Sequence, residues 1–207
     1  MKIGELACGG PSDRASLRRG RIVDTARILF AANGFHATGM AQIAKESGIA
    51  IGQIYRDFAA KEDIVAAIVT GDCRKFMARE ALQRAIVDRD EAAVWSWIRE
   101  LVEPNADDSG LFMEIVAESA RNERIAAIFA ASHVDVIGCL LDALRLFAPD
   151  DRLAERCALL ADMILTQSLG IMQHRVLMPG MDTRRLVDAV MFIMTREIER
   201  MREPCSA

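Results

Sequence analysis

Long apolar runs and paired cysteines are both missing from this chain of 207 residues. No segment approaches the roughly 18 uncharged apolar residues that cross a bilayer, and the first residues, MKIGELACGG, contain no apolar block of the kind found in secretion signals. The five cysteines are an odd number, are widely spaced and include no C-x-x-C pair, so neither a disulfide framework nor a zinc site is indicated. These absences predict a cytoplasmic protein with no membrane partner and no bound metal.

Sequence motifs of the common enzyme classes are also absent. The three histidines, His36, His133 and His174, are far apart in the sequence, and no G-x-S-x-G, H-E-x-x-H or phosphate-loop pattern occurs. No pair of carboxylates stands out from a solvated helix face. We therefore predict that the protein is not an enzyme and needs no cofactor.

Charge is present but is distributed unevenly along the chain. Residues 11–61 hold eight basic and four acidic side chains, a net charge of +4, whereas residues 62–207 hold 17 basic and 25 acidic side chains, a net charge of −8. The amino-terminal quarter can therefore face the phosphates of a nucleic acid, and the remainder would be repelled by them.

Apolar residues recur at helical spacing, and alternation with a period of two never persists. We therefore predict an all-α fold of about nine helices. Turn signals such as PNADDSG at 104–110 and MPGM at 178–181 separate the later helices. The predicted helices are 17–32, 40–47, 51–57, 61–87, 91–103, 110–121, 123–147, 151–178 and 182–202.

The first three of these helices have the pattern of a helix-turn-helix. Ile22, Ala26 and Phe30 form a core-facing stripe on the first helix. Thr38 is the predicted N-cap of the second helix, and Gly48 supplies the tight turn before the third. In such a motif the last helix enters the major groove of DNA.

The third helix combines one core residue with several hydrogen-bonding groups. Ile54 would face the core, Gly52 would let the backbone approach DNA closely, and Gln53 could bind adenine through two hydrogen bonds. Tyr55 and Arg56 could bind phosphate. Structural explanations remain open at this point, because Gly52 could simply accommodate packing and Tyr55 could be a half-buried core ring.

Residues 18–66 resemble the TetR family of bacterial transcriptional regulators. The family pattern is an I-x-x-A-A-x-x-L-F helix, a G-Y/F-x-x-T connector, an I-A-x-x-A-G-V-S helix and a G-T-L-Y-x-x-F-x-x-K-E segment. The positions that match it are Ile22, Leu29, Phe30, Gly34, Phe35, Thr38, Ile43, Ala44, Gly48, Gly52, Tyr55, Phe58, Lys61 and Glu62.

The resemblance implies a regulator that binds a double-stranded DNA operator. Phosphate contacts are expected from Thr38, Tyr55 and Lys61, and base contacts from residues 51–53 and 56. The full set of candidate DNA-binding residues is Thr38, Gln42, Ile51, Gly52, Gln53, Tyr55, Arg56 and Lys61.

Three positions depart from the family pattern. Ala50 stands where a serine often caps the recognition helix, so one amino-terminal N–H lacks a side-chain partner. Gln53 replaces the common threonine, and Ile51 occupies a position that is often polar. The last two departures imply an operator sequence that does not follow from those of relatives.

The predicted domains are a disordered arm at 1–16, a helix-turn-helix domain at 17–60 and a helical ligand-binding and dimerisation domain at 61–207. Methionines and aromatic residues give the last domain adaptable apolar volume, and the resemblance implies a pocket for a small hydrophobic molecule. His133 and Gln167 are the polar candidates, because both fall among apolar residues of the sequence. Ordinary core packing is the alternative for every candidate. The candidates are Trp97, Met113, Phe129, His133, Met163 and Gln167.

The last two helices carry apolar stripes that either close the core or meet a second copy of the chain. The stripe residues are Leu153, Cys157, Leu160, Ile164, Leu186, Val190 and Ile193. The resemblance implies a homodimer, and two recognition helices about 34–36 Å apart would fit successive faces of the major groove. The predicted function is a ligand-responsive regulator, most simply a repressor, and the alternative is a ligand-insensitive DNA-binding or protein-interaction module.

Overall fold

The computed structural model describes residues 11–103 and 109–203, and within these ranges the regular structure is entirely helical. The predicted all-α fold is therefore confirmed. A short 3-10 helix, Asp151–Leu153, precedes α9. The ten α-helices are α1 (Pro11–Asn33), α2 (Met40–Ser47), α3 (Ile51–Asp57), α4 (Lys61–Met77), α5 (Arg79–Val87), α6 (Glu91–Val102), α7 (Ser109–Ser119), α8 (Glu123–Phe147), α9 (Ala154–Leu177) and α10 (Thr183–Arg202).

The long helix predicted at 61–87 is two helices. Ala78 has a left-handed backbone conformation, with φ 33° and ψ 45°, and separates α4 from α5. The indole N–H of Trp97 donates to the Met77 carbonyl at 2.7 Å, and the N–H of Ala81 bonds to Ala78 at 2.8 Å. Because the Met77 carbonyl is bound to an indole, it is not available to continue the helix in the usual way.

Helix α1 begins at Pro11, six residues before its predicted start. A proline is well tolerated in the first turn of a helix, where its missing N–H would have no helical partner. The prediction of a disordered arm is therefore wrong for residues 11–16, and residues 1–10 lie outside the described part of the chain.

The chain divides into two compact units, and the first comprises the residues up to 68 together with Glu114–Ile125. The predicted boundary at residue 60 did not anticipate the second segment, which holds the end of α7 and the start of α8. The core of this amino-terminal unit includes the predicted stripe of α1. Its buried apolar residues include Ile22, Ala26, Phe30, Phe35, Ile43, Ile54, Phe58, Ile64, Val65 and Ile68.

Two glycines shape the connections around α2. Gly34 ends α1 with φ 82°, and a side chain there would lie 3.0 Å from the carboxylate of Glu114. Gly48 follows α2 with φ 67°, and its N–H binds carbonyls of the last turn of that helix. Both positions lie in the left-handed region that favours glycine, so the two turns follow from the sequence.

The second compact unit is built from α5, α6, α9 and α10 with parts of α4, α7 and α8. Asp90 and Asp182 cap α6 and α10 through their carboxylates. The core of this carboxyl-terminal unit includes Leu82, Val94, Trp97, Ile98, Leu101, Leu140, Leu144, Phe147, Leu160, Ile164, Val187, Met194 and Ile198.

The apolar stripe predicted on α9 closes the core. Cys157, Leu160 and Ile164 are all buried. A different set of apolar side chains remains exposed on α9 and α10, and this set is called the outer apolar face below. Its members are Leu159, Met163, Leu169, Val176, Leu177, Leu186, Phe192 and Ile193.

Helix α8 is long and apolar enough to span a membrane when judged by length and composition alone, and within the described ranges no other helix is. It carries Asp135 and Asp142, and Leu140, Leu144 and Phe147 of its second half belong to the core of the carboxyl-terminal unit. These contacts are those of a core helix in a globular protein.

Candidate nucleic-acid interface

Helix α3 presents two faces of different character. Ile54 is fully buried, whereas Tyr55 keeps 53% of its surface exposed and Ile51 keeps 42%. Arg56 is exposed and Gln53 is half-buried. Successive helical residues point about 100° apart, so one buried isoleucine fixes the helix while its neighbours turn outward.

The first residues of α3 have no side-chain cap. Ala50 is the N-cap residue, and its methyl group cannot accept a hydrogen bond from the helix. The N–H groups of Gln53 and Ile54 bond instead to the Ala50 carbonyl at 2.8 and 3.1 Å. The uncapped amino terminus inferred from the sequence is therefore present.

The carboxyl end of α3 is held by α1. The N–H of Phe58 donates to the Ile54 carbonyl at 2.8 Å, and the Phe58 ring is buried. The guanidinium of Arg19 lies 4.2 Å from the centroid of that ring and also donates to the Asp57 carbonyl. A cation is attracted to the face of an aromatic ring, so Arg19 fixes the last turn of α3 on α1.

Asp57 forms a two-point ion pair with Arg18. Nε of Arg18 donates to Oδ2 of Asp57 at 2.6 Å, and its Nη2 donates to Oδ1 at 2.9 Å. These hydrogen bonds are the main reason why the pKa of Asp57 lies below its usual value, and the side chain of Gln53 lowers that pKa further. The carboxylate is therefore ionised at neutral pH and neutralised by a guanidinium from α1.

The amide of Gln53 is bound at both ends by its own helix. Its Oε1 accepts a hydrogen bond from Nη1 of Arg56 at 3.4 Å, and the side chain also hydrogen-bonds Asp57. These residues are three and four positions further along the helix, where side chains are neighbours. The candidate base-reading amide is thus oriented before any DNA is present.

Thr38 does not face outward. Its side chain is fully buried, and its hydroxyl lies 2.9 Å from the Gly34 carbonyl and 3.2 Å from that of Leu29. The N-cap of α2 is Gly39, without a side-chain hydrogen bond. The predictions that the Thr38 side chain caps α2 and contacts phosphate are therefore wrong, because a buried hydroxyl that closes the end of α1 cannot reach DNA.

Lys61 and Gln42 are both partly accessible beside α3. The Lys61 ammonium donates to the Phe35 carbonyl at 2.7 Å and lies 4.0 Å from the centroid of the Phe35 ring. An ammonium has three donors, so a phosphate contact from Lys61 would add to these internal bonds. Gln42 lies in the first turn of α2.

Gly52 has no structural explanation within the described part of the protein. It is exposed, it lies inside α3, and a side chain there would meet nothing within 4 Å. Glycine inside a helix costs about 0.5–1 kcal/mol relative to alanine. Its packing explanation is therefore removed, and close approach of an external molecule remains.

A group of polar residues that sequence reasoning missed joins segment 114–125 to the helix-turn-helix. Oε1 of Glu114 accepts a hydrogen bond from the Phe35 N–H at 2.8 Å. Oε2 of Glu118, which is 2% exposed, lies 2.8 Å from Nε2 of His36 and 2.8 Å from Nε of Arg121. The sequence gave no sign of these contacts, because the partners are about 80 residues apart.

The same segment also contacts the first turn of α4. Asn122 donates to Glu62 at 3.3 Å, and Arg124 donates to Asp63 at 2.7 Å. The carbonyl-side oxygen of Asn122 accepts from the N–H groups of Arg124 and Ile125, which starts α8. Segment 114–125 is therefore bound through side chains on both sides of the recognition helix in the sequence.

The six ligand candidates of the carboxyl-terminal unit occupy different environments. Trp97 is a core residue whose indole N–H is bound to Met77, and Phe129 packs edge-to-face with Phe112 at 5.7 Å between ring centroids. Met113 is half-buried. The structure thus favours the core explanation for Trp97.

The polar candidates are at the surface. The side chain of His133 is 55% exposed, with Nε2 at 4.0 Å from Oδ1 of Asp162, and Gln167 is exposed. Met163 is also exposed and belongs to the outer apolar face. The expectation that His133 and Gln167 lie among apolar neighbours is therefore wrong.

Comparison with known proteins identifies the region that contains this interface. The model of the tetR family of bacterial regulatory proteins matches residues 22–68, which hold α2, α3 and most of α1. The chain belongs to the TetR family. This TetR-family chain is 33% identical over 121 residues to UidR of Escherichia coli K12, an HTH-type transcriptional regulator, across 57% of this chain and 60% of UidR. The chain therefore matches about three fifths of the length of that relative.

Two further comparisons agree with the family assignment. The chain is 38% identical over 71 residues to KstR2 of Mycobacterium tuberculosis H37Rv, an HTH-type transcriptional repressor, across 34% of each protein. The fold resembles that of a SmeT–triclosan complex, with a TM-score of 0.71 and 21% identity across 87% of this chain and 91% of that one. At this identity the last comparison supports the fold alone.

Proposed function

We propose that the protein regulates transcription by binding a double-stranded DNA operator through α3. The observation that carries this proposal is the division of α3 within the family-matched region. Ile54 is buried, while Ile51, Tyr55 and Arg56 are turned to solvent. A helix with this arrangement can enter the major groove without giving up its place in the core. Such a protein would act beside the bacterial chromosome, in the cytoplasm.

Charge supports the same orientation. The net charge of +4 over residues 11–61 lies on the part of the chain that contains α3, and the net charge of −8 lies on the remainder. Arg56 and Tyr55 are exposed on α3 and can each donate to a phosphate or a base edge. Phosphate contacts would supply affinity, and Gln53 would supply discrimination between bases.

The outer apolar face supports a homodimer. Phe192 and Ile193 keep 64% and 58% of their surfaces exposed, and Leu159 keeps 63%. Exposed apolar side chains that cluster on two helices are typical of a protein interface. A second copy of the chain would cover this face and bring a second recognition helix to the operator.

Ligand control of DNA binding is the finer part of the proposal. SmeT, which shares the fold, forms a complex with triclosan, and a small hydrophobic molecule would bind the carboxyl-terminal unit in the same manner. Helices α4, α7 and α8 each contain residues of both compact units. A ligand that favours one position of these helices would change the position of α3, and the protein would act as a repressor that leaves its operator.

A ligand-insensitive regulator is the alternative, and one observation favours it. His133, Met163 and Gln167 are exposed, and Trp97 is bound in the core. The candidate residues therefore do not surround one cavity. Screening hydrophobic compounds for release of the protein from its operator separates the two, because a ligand-insensitive regulator would stay bound in every case.

Selection of bound duplexes from a random pool tests the DNA-binding proposal. We expect the full-length protein to enrich a two-fold symmetric sequence. Gln53→Ala should lose discrimination of about 1–3 kcal/mol at one base pair of each half-site. Glu46→Ala, on the exposed end of α2, is a control that should keep the wild-type preference. The proposal fails if the wild-type protein enriches no sequence at low salt.

A further inference from the structure

A carboxylate on the recognition helix is unexpected in a surface that faces DNA. Asp57 is the last residue of α3, and the phosphates of a duplex would repel its charge. Arg18 removes this difficulty by binding both carboxylate oxygens, at 2.6 and 2.9 Å. The pair costs the protein a basic residue that could have bound phosphate directly, so Asp57 must offer something in return.

Its return is the contact with Gln53. A glutamine amide has two N–H donors and two lone pairs on its oxygen. Arg56 donates to Oε1 at 3.4 Å, and Asp57 hydrogen-bonds the same side chain, for which a carboxylate can only be the acceptor. One donor and one acceptor of Gln53 then remain for an external partner.

Adenine offers the matching pair of groups in the major groove. Its N7 accepts a hydrogen bond and its N6 amino group donates one, and glutamine recognises this edge through two parallel hydrogen bonds. An amide whose remaining donor and acceptor are already oriented loses little side-chain entropy when it binds.

We propose that Asp57, held by Arg18, is a positioning residue that orients the Gln53 amide and thereby makes adenine the base that Gln53 reads. This inference rests on the proposed DNA-binding function and extends it to the source of base specificity. Asp57 touches no base itself. Its role is to hold Gln53, and the role of Arg18 is to hold Asp57 and to cancel its charge.

Duplexes that contain 7-deazaadenine test this inference, because that base lacks only the N7 acceptor. In the selected operator, each adenine is replaced in turn, and binding of the full-length protein is measured by fluorescence anisotropy. For wild-type protein we expect one position per half-site at which the replacement weakens binding by about tenfold, in the range for loss of part of a two-bond contact. Gln53→Ala should abolish that penalty.

Variants of the positioning pair then decide the proposal. Asp57→Ala should reduce the 7-deazaadenine penalty to less than about threefold while binding to unrelated duplex is kept or strengthened, because a carboxylate has been removed. Asp57→Asn keeps an acceptor oxygen for Gln53 and should preserve most of the penalty. Asp24→Ala removes an exposed carboxylate elsewhere on α1 and should preserve all of it. If Asp57→Ala does not fold, Arg18→Lys takes its place and should lower the penalty.

The outcomes separate this inference from the proposed function. A full penalty in Asp57→Ala, or an equal loss of affinity for all duplexes with the penalty unchanged, overturns the positioning role. A double variant, Gln53→Ala with Asp57→Ala, should show no preference beyond that of Gln53→Ala. If Gln53→Ala itself keeps the wild-type base preference, the base-reading role of Gln53 is wrong, although binding to the operator would still support a DNA-binding regulator.

Discussion

The two compact units expose opposite kinds of surface. In the amino-terminal unit, the exposed side of α3 carries Tyr55, Arg56 and a glycine that nothing inside the unit requires. In the carboxyl-terminal unit, the exposed sides of α9 and α10 carry Leu159, Phe192 and other apolar side chains. A surface of donors and cations suits a polyanion, and an apolar surface suits a second apolar surface. The comparison therefore assigns DNA to the first unit and a second copy of the chain to the last helices.

The two units also use charged residues differently. The amino-terminal unit buries Glu118 and nearly buries Asp57, and each is matched by an arginine at 2.9 Å or less. The carboxyl-terminal unit places its ion pairs at the surface, as in Arg99 with Asp188 and Arg202 with Glu91. Exposed ion pairs contribute little to stability, whereas buried ones fix geometry at a cost in desolvation. Precise geometry is thus concentrated in the unit that would read DNA.

The largest expected effect separates the two faces of α3. Ile54→Ala creates a cavity in the core of the amino-terminal unit and should lower the free energy of unfolding by about 2–5 kcal/mol. Ile51→Ala, one turn earlier and exposed, is the matched control and should change it by less than about 0.5 kcal/mol. Urea denaturation followed by circular dichroism measures both. Equal losses from the two variants would contradict the assignment of the buried face.

A charge in the outer apolar face should break the dimer. Phe192→Glu would place a carboxylate in the buried interface, and loss of a central aromatic contact alone costs about 2 kcal/mol, or roughly thirtyfold in the dissociation constant. Sedimentation or light scattering should show a monomer at micromolar concentration, with weaker operator binding. Val87→Glu alters an exposed apolar residue outside that face and should leave the dimer intact. A wild-type protein that is already monomeric would refute the interface.

The smallest expected effect concerns Gly52, where stability and binding should change in opposite directions. Gly52→Ala should stabilise the protein by about 0.5–1 kcal/mol, because alanine favours the helix and meets nothing within 4 Å. The added methyl group should weaken operator binding, because it occupies space where the duplex backbone approaches. Thermal denaturation and anisotropy titration of one preparation measure both quantities. Unchanged or tighter operator binding would remove the close-approach role.

Sequence reasoning succeeded where the structure depends on neighbouring residues. The bounds of α2 and α3 agree with their predicted positions, because Gly48 and the residues around it fix both ends within a few positions. The stripe of Ile22, Ala26 and Phe30 follows from helical spacing alone. The recognition segment was likewise found from its fixed spacings.

Features that depend on distant partners could not be predicted in this way. The break at Ala78 depends on the indole of Trp97, and the burial of Thr38 depends on how the end of α1 folds back. The contacts of Glu114 and Glu118 join residues about 80 positions apart. The ion pair of Arg18 with Asp57 spans 39 positions, so nothing in the local pattern indicated that Asp57 would orient Gln53.

The most direct test of the central claim is a hydroxyl-radical footprint of the full-length protein on its selected duplex. Two recognition helices on one dimer predict two protected regions on the same face of the duplex, about one helical turn or a small multiple of it apart. The protected backbone should lose its protection when Tyr55 and Arg56 are both replaced by alanine. A uniform footprint on any duplex, or protection that persists in this double variant, would contradict the assignment of α3 as the DNA-reading helix.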